Sequence, residues 1–275
     1  MLKRSSIDQW ANKIDQFSLL PPFVSLVTIK WFMGAIFAAQ NTNYQLSKPI
    51  IRVIIPAFNE QNAVGLVIDE IPKELVAEVV VVDNGSTDNT WKTAVDFGAT
   101  AIKEEIKGYG RACLKGISYL SGLPDKTDIV VFLDGDHSDY PEKMNDLVEP
   151  IINKDVDMVI GSRALGKRED GSMTIPQVFG NWLATGLLKL FYGVKFTDLG
   201  PFRAIKYDRL LQLDMKDKTY GWTVEMQLKA AKHGFSCTEV AVPYRKRIGF
   251  SKISGTVKGT FNAGYKIIWT IFKYL

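Results

Sequence analysis

The sequence of 275 residues contains only two cysteines, Cys113 and Cys237, and they lie far apart. They lack the short spacings that bring thiolates together around zinc, so no zinc site is expected. Two isolated thiols are also typical of a reducing compartment such as the cytoplasm. We therefore interpret both cysteines as small core residues.

Several signatures of ligand-binding folds are missing as well. The turn after the first apolar run reads PAFNEQN and lacks the GxGxxG pattern, which argues against an NAD or FAD enzyme. No RNA- or DNA-binding motif, repeat or low-complexity linker interrupts residues 50–244, which we interpret as one domain. The net charge of +4 and the pI near 8.8 fit anionic substrates or a membrane surface and do not require nucleic acid.

The N-terminal region has no uninterrupted apolar run of membrane-spanning length. Residues 17–39 are largely apolar, but Pro21, Pro22 and Lys30 interrupt them, so they would make a poor spanning helix. The apolar part also begins late and contains a charge, which disfavours a cleaved signal peptide. We expect residues 1–49 to form an apolar arm, either an interfacial helix or a segment packed on the protein.

From residue 50 onward, short β-rich runs alternate with longer helical patterns. Strands are predicted at residues 50–56, 78–83, 99–104, 129–134 and 156–160, and helices at residues 63–71, 89–97, 110–121 and 141–152. This alternation predicts an α/β fold with a Rossmann-like, mostly parallel sheet and helices on both faces. The loops after such strands meet at one edge of the sheet, where ligands bind in folds of this kind.

Polar residues follow four of these strands and should therefore meet at that edge. They are Asn59 and Glu60, Asp83 through Ser86, Lys107 and Gly108, and Asp134 and Asp136. Asp83 ends a buried strand, so its carboxylate is a candidate to accept hydrogen bonds from a base or a ribose.

The stretch VVFLDGDHSDYPEK, residues 130–143, ends an apolar run in closely spaced aspartates. Asp134 and Asp136 repel each other unless a positive charge lies between them. Carboxylate oxygens suit Mg²⁺ or Mn²⁺, and Mg²⁺ is usually held by one or two carboxylates together with substrate phosphates. These residues alone are compatible with two interpretations, a metal site and a solvated turn that caps the next helix.

Five segments in order, PAFNE, VVDNGSTDNT, KGYG, FLDGDHSDYP and GSR, resemble the family-2 glycosyltransferases of GT-A fold over residues 50–252. The later segments TDLGPFRAI, YGWTVEMQLKA and YRKRIGFSKISGT resemble the branch that contains dolichyl-phosphate mannose synthase and polyprenyl-phosphate hexose transferases. The resemblance implies transfer of a hexose from a nucleotide sugar.

The resemblance also implies roles for individual residues at the predicted edge. The residues that would bind the nucleotide sugar are Pro56, Asn59, Glu60, Asp83, Lys107 and Asp134. The residues that would bind the metal are Asp134, Asp136 and Ser138. His137 stands where an apolar residue is usual, so we interpret it as a packing residue. Asn84 replaces the second acidic residue of the commoner DDGS form, which leaves uridine and guanosine open as the donor base.

Cations and acids in the later loops supply further candidates. The cations are Arg163, Arg203, Arg245, Arg247 and Lys252. Arginine matches phosphate oxygens well, and phosphate binding is favoured over solvated surface charge for Arg247 and Lys252, which flank a glycine in a pliable loop. We assign Arg203 and Asp136 to the catalytic group and Arg163 to the donor.

The acceptor decides whether a general base is needed. A lipid phosphate is already anionic at neutral pH and needs little help, whereas a hydroxyl acceptor needs a positioned carboxylate. Asp198 and Glu225 are the candidates for that base, although either can instead pair with an arginine. Inverting transfer to a lipid phosphate is our first reading and transfer to a saccharide hydroxyl the second. A non-catalytic nucleotide-sugar-binding protein would be expected to have lost a metal aspartate.

The C-terminal segment, residues 253–275, predicts an amphipathic basic helix. Its apolar face holds Val257, Phe261, Tyr265, Ile268, Phe272 and Leu275, and Lys258, Asn262, Lys266 and Lys273 line the neighbouring face. Such a helix either lies in the headgroup region of a membrane or packs on the domain. We expect a peripheral protein at the cytoplasmic face of a membrane.

Overall fold

The computed structural model describes residues 48–249 and 257–275, with the backbone alone at residues 257 and 258. Within them, seven strands form one sheet in the order β3-β2-β1-β4-β6-β5-β7. The strands are β1 Ile51–Ala57, β2 Glu78–Asp83, β3 Thr100–Lys103, β4 Ile129–Phe132, β5 Met158–Ser162, β6 Arg203–Lys206 and β7 Cys237–Ala241. The expectation for the N-terminal arm falls almost entirely outside the described residues.

Helices cover both faces of this sheet, as predicted. They are α1 Val64–Asp69, α2 Thr90–Asp96, α3 Tyr109–Ser121, α4 Met144–Lys154, α5 Ile175–Tyr192, α6 Tyr207–Gln212, α7 Trp222–Lys232 and α8 Val257–Lys273, with a 3₁₀ turn at Pro141–Lys143 before α4. None of the helices in the described ranges is both long and apolar enough to cross a membrane. Pro49–Leu275 form one unit, so α8 belongs with the sheet.

The sheet is mostly parallel, with one reversed strand. β1 pairs in parallel with β2 and β4, β2 with β3, and β5 with β7. Strand β6 runs antiparallel to both β4 and β5. The sequence pattern did not predict β6, because its four residues RAIK carry two charges and no alternation. The predicted α/β fold is confirmed, and two strands, the reversed β6 and the edge strand β7, are additions to the five predicted ones.

Alternating side chains of the strands supply two hydrophobic cores. Ile54, Val82 and Phe132 point to the face covered by α3, α5 and α7. Val53 and Val131 point to the opposite face, covered by α1 and α4. This period of two is the expected pattern for strands buried on both sides.

The cysteines behave as packing residues. Cys113 is fully buried in α3, where burial raises the pKa of its thiol well above the ordinary value. Cys237 is half-buried at the start of β7. Neither thiol is therefore poised for reaction.

Candidate active site at the carboxyl edge of the sheet

The carboxyl ends of β1, β2 and β4 enclose a cavity of about 250 Å³. Parallel pairing places Ala57 opposite Asp83 at the ends of β1 and β2, and β4 runs directly into the aspartate turn. The lining includes the predicted residues Pro56, Glu60, Lys107, Asp134, Asp136 and Arg247. Six segments that are distant in the sequence thus contribute to one cavity.

Asn59 and Asp83 do not line this cavity; they brace the loop beside it. Oδ1 of Asp83 accepts a hydrogen bond from the backbone N–H of Ser86 at 3.0 Å, and Oδ1 of Asn59 accepts one from Thr87 at 2.8 Å. Asp83 is buried. Both residues therefore hold the turn that follows β2.

The two aspartates of the DGD turn are held in defined orientations. Oδ1 of Asp136 accepts hydrogen bonds from the N–H of Ser138 at 3.0 Å and from its hydroxyl at 2.5 Å. Oδ1 of Asp134 accepts a hydrogen bond from the hydroxyl of Tyr109 at 3.0 Å. Burial and the neighbouring Asp136 raise the pKa of Asp134 to about 6. Oδ1 of each carboxylate is therefore held by a hydrogen bond from the protein.

Ser138 was predicted as a metal ligand, and its position argues against that role. Its side chain is fully buried, and its hydroxyl donates to Asp136. Ser138 orients the aspartate from behind and does not line the cavity.

Arg247 supplies the positive charge between the aspartates and the cavity. Its Nη1 lies 2.7 Å from Oδ2 of Asp136, and the N–H of Ile248 donates to the backbone carbonyl of Asp136 at 3.0 Å. Although burial opposes it, the charge of Asp136 raises the pKa of Arg247 further. Arg247 therefore occupies the oxygen of Asp136 that Ser138 leaves available.

Arg245 anchors the same loop to the aspartate turn. Its Nε donates to the carbonyl of His137 at 2.8 Å, its Nη2 to the carbonyl of Asp139 at 3.0 Å, and its guanidinium lies 4.3 Å from the ring centre of Tyr140. It also forms an ion pair with Glu70. His137 has a left-handed backbone conformation, and its Nε2 lies 2.9 Å from Glu70. Arg245 and His137 thus fix the turn's shape.

The carboxylates fit a divalent cation that also receives ligands from a substrate. Within the described residues no cluster of three or more His, Cys, Asp or Glu side chains is arranged to hold a metal. Two carboxylates alone are the set that Mg²⁺ commonly takes when phosphates complete its shell. Asp134 and Asp136 would hold such an ion.

A second cavity of about 280 Å³ adjoins the first. Both are lined by Tyr109, Asp134, Tyr220 and Arg247. The second cavity extends between α5 and α8, whose Gly180, Asn181, Ala263, Gly264 and Ile267 line it. The wall formed by α5 and α8 thus consists mostly of small or apolar residues, with Gln177, Asn181 and Thr260 as its polar members, and the residues shared with the first cavity include the charged Asp134 and Arg247.

Arg163 lines the second cavity and is held by Asp198. The guanidinium donates to both carboxylate oxygens of Asp198, from Nε at 2.8 Å and from Nη2 at 2.7 Å. The backbone N–H of Arg163 donates to Asp198 as well, at 2.7 Å. Asp198 is only 1% exposed. It positions Arg163, and it is not available as the general base that the sequence suggested.

Glu225 and Arg203, the other catalytic candidates, are buried structural residues. Glu225 accepts hydrogen bonds from the N–H of Asp217 at 2.7 Å and from the hydroxyl of Tyr274 at 2.6 Å, so it ties α7 to the residue that follows α8. Arg203 has no exposed surface and donates to the carbonyls of Leu199, Gly200 and Thr223. Neither lines either cavity. Of the four catalytic candidates, Asp136 alone lines a cavity.

The predicted phosphate-binding residue Lys252 lies outside the described residues.

The KGYG segment contributes more than sequence reasoning assigned to it. Tyr109 orients Asp134, and Lys107 Nζ lies 4.3 Å from the ring centre of Phe58. The side chain of Asn84 accepts from the N–H of Gly108 at 2.6 Å and donates to the carbonyl of Ile106 at 2.9 Å. A Cβ at Gly108 would overlap the carbonyl of Lys218. Asn84 therefore holds the Lys107 loop. Gly108 lets this loop pack closely against the backbone of Lys218, and this glycine is the feature of the KGYG motif from which the loop could have been recognised.

Asp139 is a buried acid behind the turn, and its substitution tests the electrostatics of the site. Within the described part of the chain, neither of its carboxylate oxygens has a hydrogen-bond partner. Burial and the neighbouring Asp134 raise the pKa of Asp139 well above 3.8. Because the folded state binds this proton more tightly than the unfolded state, its contribution to stability falls as the pH rises above that value.

Asp139→Asn is therefore expected to raise the free energy of unfolding at pH 8 by about 1 to 3 kcal/mol. The gain should shrink at pH 5. Urea denaturation at both pH values measures it, with the exposed Asp96→Asn as control. A variant that is less stable than the wild type at pH 8 would show that Asp139 has a compensating partner.

A comparison with known proteins agrees with this geometry. The model described as Glycosyl transferase family 2 matches residues 52–210. A dolichyl-phosphate hexose transferase of Haloferax volcanii is 31% identical over 74% of this chain and 86% of its own length. An undecaprenyl-phosphate mannosyltransferase of Micrococcus luteus is 29% identical over 76% and 89%. An uncharacterized glycosyltransferase of Mycobacterium tuberculosis is 31% identical over 78% and 94%.

Solved structures share the architecture. Glucosyl-3-phosphoglycerate synthase from Mycobacterium tuberculosis, in complex with Mn²⁺, UDP-glucose and phosphoglyceric acid, superposes with a TM-score of 0.64 at 20% identity. The match covers 93% of this chain and 85% of that chain. At this identity the likeness concerns the fold.

Proposed function

Because the chain belongs to glycosyl transferase family 2, we propose that this glycosyltransferase moves a hexose from a UDP- or GDP-hexose to a polyprenyl or dolichyl phosphate. One observation carries the proposal. The cavity at the sheet edge, which is lined by the aspartate turn and Lys107, adjoins a second cavity that is walled by α5 and α8, and Asp134 and Arg247 line both. The donor would occupy the first and the acceptor the second, so the reacting atoms would meet beside the aspartates.

The donor's diphosphate would lie between the Lys107 loop and the aspartate turn. Lys107, Pro56 and Glu60 line that cavity, while Asp83 and Asn59 keep the neighbouring loop in place. Asp134 and Asp136 would hold Mg²⁺ or Mn²⁺, which would neutralise the charge that grows on the departing phosphate. The Mn²⁺ and UDP-glucose in the structurally similar synthase support this arrangement.

The lining of the second cavity favours an anionic acceptor. It contains Arg163 and Arg247, and its one acidic residue among the described side chains is Asp134, which we assign to the metal. A hydroxyl acceptor would need a carboxylate to take its proton, and both carboxylates predicted for that task are committed elsewhere. A phosphate monoester brings its own anionic nucleophile. The names of the relatives from Haloferax volcanii and Micrococcus luteus support the same choice.

We further propose inversion at the anomeric carbon by one in-line attack. Within the described residues, the cavities offer no carboxylate beyond Glu60 and the two aspartates of the turn as an enzyme nucleophile. An α-linked donor should therefore give a β-linked product, which proton NMR of the anomeric signal reports. An α-linked product would contradict direct attack by the acceptor.

The acceptor is tested by incubating the full chain and Mn²⁺ with UDP- and GDP-hexoses. Each reaction receives either a polyprenyl phosphate or a saccharide acceptor, and mass spectrometry detects the product. We expect a hexosyl lipid phosphate with at least one donor. Transfer to the saccharide alone would establish the second reading, a hydroxyl acceptor. Such a product would also exclude the non-catalytic binding protein.

Since the proposed acceptor is a membrane lipid, the proposed location of the protein is the cytoplasmic face of a membrane.

A further inference from the structure

Helices α5 and α8 each present an apolar stripe to the outside of the protein. On α5, Trp182 is 67% exposed, and on α8, Phe261 is 73% exposed. The stripes follow helical spacing and consist of Ile175, Phe179, Trp182 and Leu190 on α5 and Phe261, Tyr265, Trp269 and Phe272 on α8. We call these eight residues the α5–α8 face. A soluble surface seldom carries so many large exposed apolar side chains together.

The outward stripe of α8 contains three of the six residues of the apolar face that the sequence predicted, namely Phe261, Tyr265 and Phe272. The helix packs on the protein through a different side, on which Thr270 and Ile271 are buried. The hydroxyl of Tyr192 donates to the carbonyl of Ile271 at 2.6 Å, and the rings of Phe191 and Phe272 lie 5.4 Å apart. Phe261 and Tyr265 therefore stay exposed after packing, and Phe272 remains partly exposed beside Phe191.

The charges on the two helices all have one sign. Neither helix contains Asp or Glu, and their charged residues are Lys189, Lys258, Lys266 and Lys273. Lys266 pairs with the buried Asp217 at 3.0 Å, whereas Lys189 and Lys273 are exposed. Exposed lysines beside tryptophan, tyrosine and phenylalanine are the composition of a helix that lies in the headgroup region of a bilayer.

The same two helices form the walls of the acceptor cavity. Gln177 and Gly180 of α5 and Ala263 and Gly264 of α8 line it. A Cβ added at Gly180 or Gly264 would meet no atom within 4 Å. One wall of the acceptor cavity is thus formed by the two helices that carry the exposed stripes.

We propose that the α5–α8 face docks on an anionic lipid bilayer, with the acceptor cavity open toward the membrane. The acceptor side of this inference rests on the proposed function; the docking itself does not. A second copy is a poorer occupant, because a symmetric contact would bring the lysines of both copies together. Residues 1–47 contain four basic and two acidic residues, so they offer no net negative charge either. An anionic bilayer complements both the apolar stripes and the lysines.

Vesicle flotation of the full chain tests the docking without donor or acceptor. The wild type should float with phosphatidylglycerol vesicles and dissociate in high salt. The double variant Trp182→Ser/Phe261→Ser should lose at least about tenfold in vesicle affinity, because both side chains are exposed and lie outside the cavities. The matched control Trp91→Ser changes an exposed tryptophan of α2 and should bind like the wild type. Equal binding by the double variant would overturn the proposal.

An environment-sensitive fluorophore on Tyr265→Cys identifies what covers the face. Its emission should shift to the blue when vesicles are added. Emission that is already blue-shifted and does not respond to vesicles would mean that another segment of the chain covers the face. A shift that follows protein concentration alone would mean a second copy. Either result overturns bilayer docking.

Activity on two acceptors separates this proposal from the proposed function. The double variant should lose turnover on a long-chain polyprenyl phosphate in vesicles and keep it on a water-soluble, short-chain isoprenyl phosphate. Equal loss on both would place the two residues in the chemistry and overturn a docking role. A wild type that binds vesicles but glycosylates neither lipid phosphate would refute the proposed function and leave the docking intact.

Discussion

Asp136→Asn is expected to lower the rate of hexosyl transfer on the order of 10³-fold while leaving the protein folded. The amide keeps an oxygen that can accept the hydrogen bonds from Ser138, so the turn should persist. It removes the negative charge that Arg247 and a divalent cation would share. Initial rates at saturating Mn²⁺ and donor measure the loss, and thermal unfolding checks the fold.

The control for this substitution is Asp96→Asn. Asp96 is an exposed aspartate on α2 that pairs with Lys92, and α2 packs on β2 and β3 while the aspartate turn follows β4. Its variant should retain wild-type turnover. If Asp136→Asn kept a rate within about tenfold of the wild type, the assignment of the metal to this turn would be refuted.

Arg247→Met should lower the transfer rate about 100-fold and shift two binding constants in opposite directions. Removing the guanidinium should weaken donor binding, because it lines the cavity where the phosphates would lie. It should strengthen Mn²⁺ binding in the absence of donor several-fold. Arg247 occupies Oδ2 of Asp136, and Ser138 already holds Oδ1, so a metal must displace the arginine. Electron paramagnetic resonance of free Mn²⁺ and calorimetry of donor binding measure the two constants.

Lys246→Met is the matched control for Arg247→Met. It removes one positive charge from the adjacent position, where the lysine side chain is exposed and lines neither cavity. Its Mn²⁺ affinity and turnover should equal those of the wild type. Should both variants change Mn²⁺ binding alike, the effect would come from net charge and not from the contact with Asp136.

The fold was predictable wherever a strand is apolar enough to be buried on both faces. Strands β1, β2 and β4 and the helices between them lie within a few residues of the predicted bounds. Strands β6 and β7 and helices α5, α6 and α7 were not predicted. β6 carries two charges in four residues, and its pairing is with β4 and β5, which lie far away in the sequence. A sequence pattern indicates structure that depends on nearby residues. The position of β6 depends on its pairing with distant strands, so its own residues do not indicate it.

The residues of the candidate site likewise fall into those that local sequence could place and those that it could not. Asp134 and Asp136 directly follow a buried strand, so their place at the edge follows from the strand alone. Asp198 and Glu225 look equally suitable in the sequence. Their partners are Arg163, 35 residues away, and Tyr274, 49 residues away. No local pattern distinguishes a carboxylate that faces a cavity from one that holds a distant side chain.

For α8, the sequence correctly predicted which residues share a face but not whether that face is buried or exposed. Spacing correctly grouped Phe261, Tyr265 and Phe272 on one face of the helix. It did not decide whether that face packs inward, because α8 has a second apolar side with Ile267 and Ile271. The structure distinguishes them through the contacts of that second side with α5 and α7.

The most direct test of the central claim is metal-dependent formation of a hexosyl lipid phosphate by the purified full chain. The chain is treated with EDTA, supplied with the nucleotide hexose that the donor panel selects and a polyprenyl phosphate, and assayed by mass spectrometry before and after Mn²⁺ is added. We predict no product in EDTA and full recovery with Mn²⁺ in the wild type, and no recovery in Asp136→Asn. A product that forms equally well in EDTA, or one that Asp136→Asn still makes, would contradict the account.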